Sequence, residues 1–140
     1  MNRNLNASPV SALHNDSESV WVKIVLNGEI HYFSSWYRPP SSSKDHILLL
    51  KNQLDVIRLW HPKKHPRIHV LGDFNYSKIN WNNSLNKDSD SCLNDSDGHN
   101  FVDILNEFSL DQLVNFPTRN TNILDLIITS VSCKYSNVFP

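Results

Sequence analysis

The sequence predicts an α/β layered sandwich, in which helices separate the later strands of a sheet. Three observations lead to this fold class. Two β-branched and aromatic runs flank Asn27-Gly28, apolar residues recur at helical spacing between residues 44 and 60, and a short apolar strand precedes Gly72. Alternation of strands and helices is typical of layered α/β domains. The chain has 140 residues, of which 39% are hydrophobic, and this length suits one domain.

The chain is expected to divide into a disordered polar tail, residues 1–19, and a folded part, residues 20–140. The tail is rich in Asn and Ser and has no apolar stretch. The runs 20–26 and 29–37 then predict a β-hairpin, because both residues of an Asn-Gly turn accept positive φ. The prolines at 39 and 40 end its second strand, since proline cannot donate to a ladder.

The second half of the chain predicts two helices and three short strands. The first helix covers about residues 44–60, and the second carries Phe101, Ile104, Leu105 and Phe108 on one face. Residues 67–71, 110–114 and 123–129 read as strands, and Gly72 is expected to break the first of them. The long polar stretch 75–97 reads as a loop. Its Trp81 has two interpretations, stacking on a base or simple packing.

Composition excludes several classes of protein. Thirteen basic and fourteen acidic residues give a net charge near -1, so the whole chain has no field that attracts nucleic acid. The basic run 61–67 is either a local phosphate contact or a solvated loop. Cys92 and Cys133 fit no zinc spacing, and the apolar runs are too short for a bilayer. We expect an intracellular protein with no membrane partner and no small-molecule cofactor.

The strongest chemical signal is Leu71-Gly72-Asp73-Phe74-Asn75, where an acid and an amide follow a buried strand. Sites in α/β sheets gather at the carboxyl ends of strands. Asp73 can take a proton from water, and Asn75 can donate to a phosphate oxygen. The alternative is a Gly-Asp turn in which these side chains only satisfy the backbone.

Two further motifs carry candidate residues. In Trp36-Tyr37-Arg38-Pro39-Pro40, the Tyr37 hydroxyl stands at a strand end, where it either holds a phosphate oxygen or packs on its neighbours. Downstream of Pro117-Thr118-Arg119, Asp125 is the single charge in an apolar run. Such a charge is costly unless it is paired, so it either orients a histidine or lies at a strand edge in solvent.

In this order, the Tyr-Arg-Pro-Pro-Ser-Ser, Leu-Gly-Asp-Phe-Asn, Pro-Thr-Arg and Ile-Leu-Asp-Leu segments resemble the endonuclease domain of non-LTR, LINE-type retrotransposons. That domain is a member of the endonuclease/exonuclease/phosphatase superfamily. The resemblance covers roughly residues 20–140 and implies the layered sandwich of that superfamily. It also implies phosphodiester hydrolysis with Mg²⁺, DNA as substrate, a reverse transcriptase domain in the same polyprotein, and the nucleus as the location of the intact parent.

The resemblance assigns roles to four residues and a position near the site to a fifth. Asp73 would orient or deprotonate the attacking water, Asn75 would bind the scissile phosphate, Tyr37 would donate to a phosphate oxygen, and Asp125 would orient a catalytic histidine. The resemblance places Thr118 near the site, and we expect Thr118 and Arg38 to contact the substrate.

The sequence also departs from the family pattern. No metal-binding glutamate precedes the hairpin at a matching position, and no Ser-Asp-His segment follows Asp125. We therefore expect a partial domain without the first strands and the last strand, with no complete metal site and no activity of its own. The alternatives are a non-catalytic remnant and a phosphatase or phosphodiesterase of the same fold.

Overall fold

The structure is a computed structural model that describes residues 5–81 and 96–132. Its strands are β1 (Ala7–Pro9), β2 (Glu18–Leu26), β3 (Glu29–Tyr37), β4 (Arg67–Asp73), β5 (Asp111–Gln112) and β6 (Asp125–Thr129). Its α-helices are α1 (Leu48–Trp60) and α2 (Ser96–Glu107), and short 3-10 helices cover Ser11–Leu13 and Lys44–Ile47. The strands form a sheet in the order β1-β2-β3-β4-β6-β5, and the predicted α/β class is confirmed.

The predicted hairpin is present. Strands β2 and β3 pair antiparallel from Glu18 opposite Tyr37 to Leu26 opposite Glu29. Asn27 and Gly28 both adopt positive φ, 50° and 82°, as a two-residue turn of this kind requires.

Helix α1 carries the chain from the end of β3 to the start of β4, and these two strands are parallel. Its apolar stripe, Leu50, Leu54 and Ile57, is buried in the core beneath the sheet, as the spacing predicts. Gln53 lies on the same face and accepts a hydrogen bond from the Trp36 indole at 3.1 Å. The side chain of Trp36 therefore points to the helix-covered face of the sheet.

Strand β4 is longer than expected. It runs through Gly72 to Asp73 instead of stopping before the glycine, because Gly72 pairs with Trp36 of β3 and Leu126 of β6. A Cβ at this position would lie 1.7 Å from the Trp36 carbonyl oxygen. The glycine is thus what allows β3 and β4 to stay paired up to the sheet edge.

The amino-terminal segment differs from the expected disordered tail. Residues 7–9 form β1, which pairs with β2, and Leu13 is buried in the core. The carbonyl of Leu13 accepts a hydrogen bond from the buried Gln53 amide at 2.9 Å, and the Asn15 amide donates to the Leu49 carbonyl at 3.0 Å. The polar residues that suggested disorder are partners for polar groups on α1.

The second half follows the predicted order. Phe101, Ile104 and Leu105 of α2 are buried, and β6 pairs antiparallel with β4. Trp81 is 7% exposed and its ring meets Phe101 edge-on at 6.0 Å, which favours packing over base stacking. Residues 82–95, with Cys92, and Cys133 lie outside the described residues. Neither α1 nor α2 has the length and apolar character needed to cross a bilayer.

Candidate active site

Three of the predicted site residues lie in one row across neighbouring strands. Tyr37 is in register with Asp73, and Asp73 is in register with Asp125. Strands β3 and β4 end at this edge, whereas the antiparallel β6 begins there. Directly paired residues point to the same face of a sheet and have Cβ atoms about 5 Å apart. The row therefore brings together a phenol and two carboxylates that are distant in sequence.

This row lies on the sheet face opposite α1. Trp36, one residue before Tyr37, points into the core, so the alternation of side chains along a strand directs Tyr37 to the other face. Tyr37 is 38% exposed and Asp125 is exposed, while the Asp73 side chain is 18% exposed. A substrate can reach all three side chains from solvent.

Asn75 is attached to the row by a tight turn. Its backbone N–H donates to Asp73 Oδ1 at 3.1 Å, and its φ is 53°, a conformation that Asn tolerates better than most residues. This is the Gly-Asp turn that the sequence left open as an alternative. This turn is compatible with a chemical role for Asp73, because Oδ2 of its carboxylate takes no part in the turn.

The backbone of Arg38 connects the end of β3 to this turn. Its N–H donates to the Asp73 carbonyl at 2.9 Å, and its carbonyl accepts a hydrogen bond from the Asn75 side-chain amide at 2.8 Å. One of the two hydrogens on the Asn75 amide is thus occupied. The other remains a donor for a substrate oxygen.

The Arg38 side chain does not face the substrate side. It is buried, it pairs with Asp97 Oδ2 of α2 at 2.5 Å, and its guanidinium lies 4.3 Å from the centre of the Tyr76 ring. The Tyr76 hydroxyl donates to the other Asp97 oxygen at 3.3 Å. This geometry favours a positioning role for Arg38 over the expected contact with substrate.

Thr118 supports Asp125 through the backbone. Its hydroxyl oxygen accepts hydrogen bonds from the N–H groups of Leu124 and Asp125, both at 3.0 Å. These bonds hold the start of β6 at the sheet edge. The hydroxyl hydrogen is the remaining donor of Thr118, and the expected substrate contact depends on it.

Arg119 was not among the predicted site residues, although it stands in the Pro-Thr-Arg segment. Its Nη2 lies 3.4 Å from Asp73 Oδ2, and its side chain is 58% exposed. Two carboxylates in register repel each other, so a nearby cation stabilises the pair. Asp97, the partner of Arg38, was also missed as a site residue, because a pairing across 59 residues leaves no local pattern.

His46 packs against the end of β3, where its ring meets Trp36 edge-on at 5.3 Å. Burial lowers the pKa of His46, and the positive charge of Arg38 lowers it further, while Glu18 and Asp97 oppose these effects. The neutral form is therefore favoured in the folded protein, and protonation opposes folding.

The described residues do not include a group of three or more His, Cys, Asp or Glu side chains placed to hold a metal ion. The row offers carboxylate oxygens and the Asn75 amide oxygen, which are the hard ligands that Mg²⁺ prefers. Magnesium commonly takes one or two protein carboxylates and completes its coordination with water and substrate phosphate. The donors fit a magnesium ion held in that way.

Comparison with known proteins gives one family match. Residues 31–138 match the endonuclease-reverse transcriptase family. A comparison with curated protein sequences finds no significant match.

The chain is also similar to several solved structures. The endonuclease domain of TRAS1, a telomere-specific non-LTR retrotransposon, matches with a TM-score of 0.62 and 21% identity over 91% of this chain and 55% of that domain. A beta toxin from Staphylococcus aureus has a TM-score of 0.42 and 15% identity over 81% of this chain and 43% of the toxin. An endonuclease/exonuclease/phosphatase family protein from Leptotrichia buccalis C-1013-b has a TM-score of 0.43 and 10% identity over 91% and 50% of the two chains.

Proposed function

The chain belongs to the endonuclease-reverse transcriptase family, and from this premise we propose that it supplies part of the active site of a DNA-nicking phosphodiesterase. The observation that carries the proposal is the row of Tyr37, Asp73 and Asp125 at one sheet edge, with Asn75 attached to it. The chain spans 55% of the TRAS1 endonuclease domain, so the activity is proposed for a domain larger than these 140 residues.

The chemistry of the row suits hydrolysis of a phosphodiester. Asp73 acts on the attacking water, because Oδ1 is held by the Asn75 N–H and the carboxylate is thereby oriented at the edge. The free hydrogen of the Asn75 amide donates to a phosphate oxygen. Tyr37 is a second donor to the phosphate, where negative charge grows in the transition state.

Asp125 acts indirectly in this proposal. In the larger domain it would accept the N–H of a catalytic histidine and so fix the tautomer of that ring. This sequence has no histidine at a matching position. Thr118 holds Asp125 in place through the two backbone hydrogen bonds to its hydroxyl oxygen. Magnesium would be held by Asp73 and the phosphate, and it would neutralise charge on the phosphate.

We propose double-stranded DNA as the substrate and a reverse transcriptase domain of the same polyprotein as the partner, with the nucleus as the place of action. Nicking of a target site would then provide the primer end for reverse transcription. The 140-residue chain by itself is expected to show no nicking, because the family glutamate and histidine have no counterparts at matching positions.

The test is a plasmid-nicking assay with a grafted domain. This chain is joined to the segments of the TRAS1 endonuclease domain that it does not match, and folding is checked by circular dichroism. With magnesium present, the grafted domain is expected to nick supercoiled plasmid, and Asp73→Ala is expected to abolish nicking. Asp103→Ala, which removes an exposed acid on α2, is the matched control and should keep the activity. A folded grafted domain that does not nick, or nicking that survives Asp73→Ala, would overturn the proposal.

A further inference from the structure

A cavity lies at the end of β4 that is remote from the candidate active site. Its volume is about 220 Å³. It is formed between the tip of the β2–β3 hairpin and the segment that joins α1 to β4, and its lining includes Gly28, Glu29, His61, Lys64 and Arg67. Arg67 and Asp73 are six residue steps apart along the extended strand, a distance of about 20 Å.

The walls of the cavity carry an excess of positive charge. Arg67 pairs with Glu29 at 2.9 Å, so these two charges largely cancel. Lys64 also lines the cavity, and its ammonium makes no hydrogen bond or ion pair with any described residue. One unmatched cation therefore remains at the cavity, and the exposed Lys63 stands next to it in the sequence.

His61 lies in this positive field, and its ring nitrogens can form hydrogen bonds. Burial lowers the pKa of His61, and the positive charges of Lys23 and Lys64 lower it further. Its Nε2 lies 2.9 Å from the Tyr32 hydroxyl. Burial raises the pKa of Tyr32, so the phenol stays protonated, and either group can donate in this pair. When the Tyr32 hydroxyl donates to Nε2, the hydrogen of the neutral ring lies on Nδ1, and His61 then offers an N–H donor at the cavity.

We propose that this cavity binds one phosphate group of a nucleic-acid backbone, with Lys64 as the principal cation and His61 as a hydrogen-bond donor. A backbone phosphate carries one negative charge and several acceptor oxygens, which matches one unmatched ammonium and neighbouring N–H groups. The choice of nucleic acid as the source of the phosphate rests on the proposed function. The cavity itself does not, because it is about 20 Å from the candidate active site.

The binding is expected to be independent of base sequence. Phosphate contacts fix the position of a protein on DNA and carry no direct sequence information. A second phosphate contact about 20 Å from Asp73 would fix the direction of the nucleic acid relative to β4. It would also make the affinity depend on salt, because each phosphate that is neutralised releases counterions.

The test compares two neighbouring lysines in the 140-residue chain. Binding to a short DNA duplex is measured by fluorescence anisotropy at several salt concentrations. Lys64→Glu is expected to weaken binding by about tenfold and to lower the salt slope by about one. Lys63→Glu changes the net charge equally but removes no residue that lines the cavity, so its effect is expected to be about twofold or less. Equal losses in the two variants would overturn the proposal, because they would indicate a diffuse field.

Amide chemical shifts locate the ligand. The duplex is expected to shift the amide signals of Gly28, Lys64 and Arg67, and Lys64→Glu should abolish these shifts. If inorganic phosphate shifts the same signals and the duplex does not, the nucleic-acid assignment is overturned and the cavity binds free phosphate. If neither ligand shifts them, the whole proposal is overturned. Asp73→Asn is expected to leave these shifts unchanged, so failure of the active-site proposal remains distinguishable.

Discussion

Replacement of Gly72 by alanine tests the close pairing of β3 and β4 on which the candidate site depends. The added Cβ would lie 1.7 Å from the Trp36 carbonyl oxygen and 2.8 Å from its carbonyl carbon. Normal contacts of such atoms are about 3.5 Å, so the two strands must separate by roughly 1.8 Å at this pair. The next pair in the ladder is Tyr37 with Asp73, and it would be displaced as well.

The cost has two parts. Gly72 has φ of 155°, a region that is almost exclusive to glycine, and a side chain there costs about 1–3 kcal/mol. Trp36 is 1% exposed and its ring stacks on Phe74 at 5.4 Å, so it cannot move without disturbing the core. Steric insertion into a packed core costs about 1–3 kcal/mol more. We expect Gly72→Ala to lower the free energy of unfolding by about 4 kcal/mol, a large share of the 5–15 kcal/mol that is usual for a domain.

Gly28→Ala is the matched control. Gly28 also has positive φ, 82°, but an added Cβ meets no atom within 4 Å. It therefore carries backbone strain alone, about 1 kcal/mol. Both variants are measured by urea denaturation with tryptophan fluorescence. If only Gly72→Ala loses the cooperative unfolding transition, the result agrees with the reasoning. If the two variants lower the free energy of unfolding by amounts within about 1 kcal/mol of each other, the reasoning is refuted.

Two further predictions concern stability. The pKa of His46 is lower in the folded protein than in the unfolded chain, so the unfolded chain binds more protons at pH values between the two. The stability that neutral His46 contributes is therefore fully present above about pH 6.5, and it is lost as the pH falls toward the folded pKa. Urea midpoints at neutral and mildly acidic pH should therefore differ less in His46→Gln than in the exposed control His14→Gln, and an equal pH dependence would contradict this. Asp97→Asn should lower the free energy of unfolding by about 1–3 kcal/mol because it leaves the buried Arg38 without its anionic partner. Asp103→Asn on the same helix should cost less than about 0.5 kcal/mol in the same melts, and equal costs would show that the pair contributes nothing.

Local signals predicted much of the architecture. Asn27-Gly28 predicted the hairpin because its turn geometry admits few residue types, and the apolar spacing predicted α1 because one face of that helix is buried. The apolar run 67–71 predicted strand β4 but placed its end two residues too early. Its true end at Asp73 depends on the close approach of Trp36, which is a property of the neighbouring strand.

Contacts between distant segments could not be read from the sequence. The segment around Leu13 looks like a polar tail until its carbonyl is seen to accept from Gln53. Arg38 looks like a substrate contact because it follows Tyr37, and its burial depends on Asp97. Tyr37, Asp73 and Asp125 were predicted from motifs, and the register of three strands brings them together.

Asp73 and Asp125 are proposed to act as one catalytic unit. The direct measurement is the nicking rate of the grafted domain carrying Asp73→Ala, Asp125→Ala or both substitutions. Each single variant is expected to lose about a hundredfold or more, and the double variant should lose little beyond the worse single variant, because residues that act as a unit fail together. If Asp125→Ala retains the full rate, or if the two losses multiply in the double variant, the two carboxylates act separately and the account is contradicted.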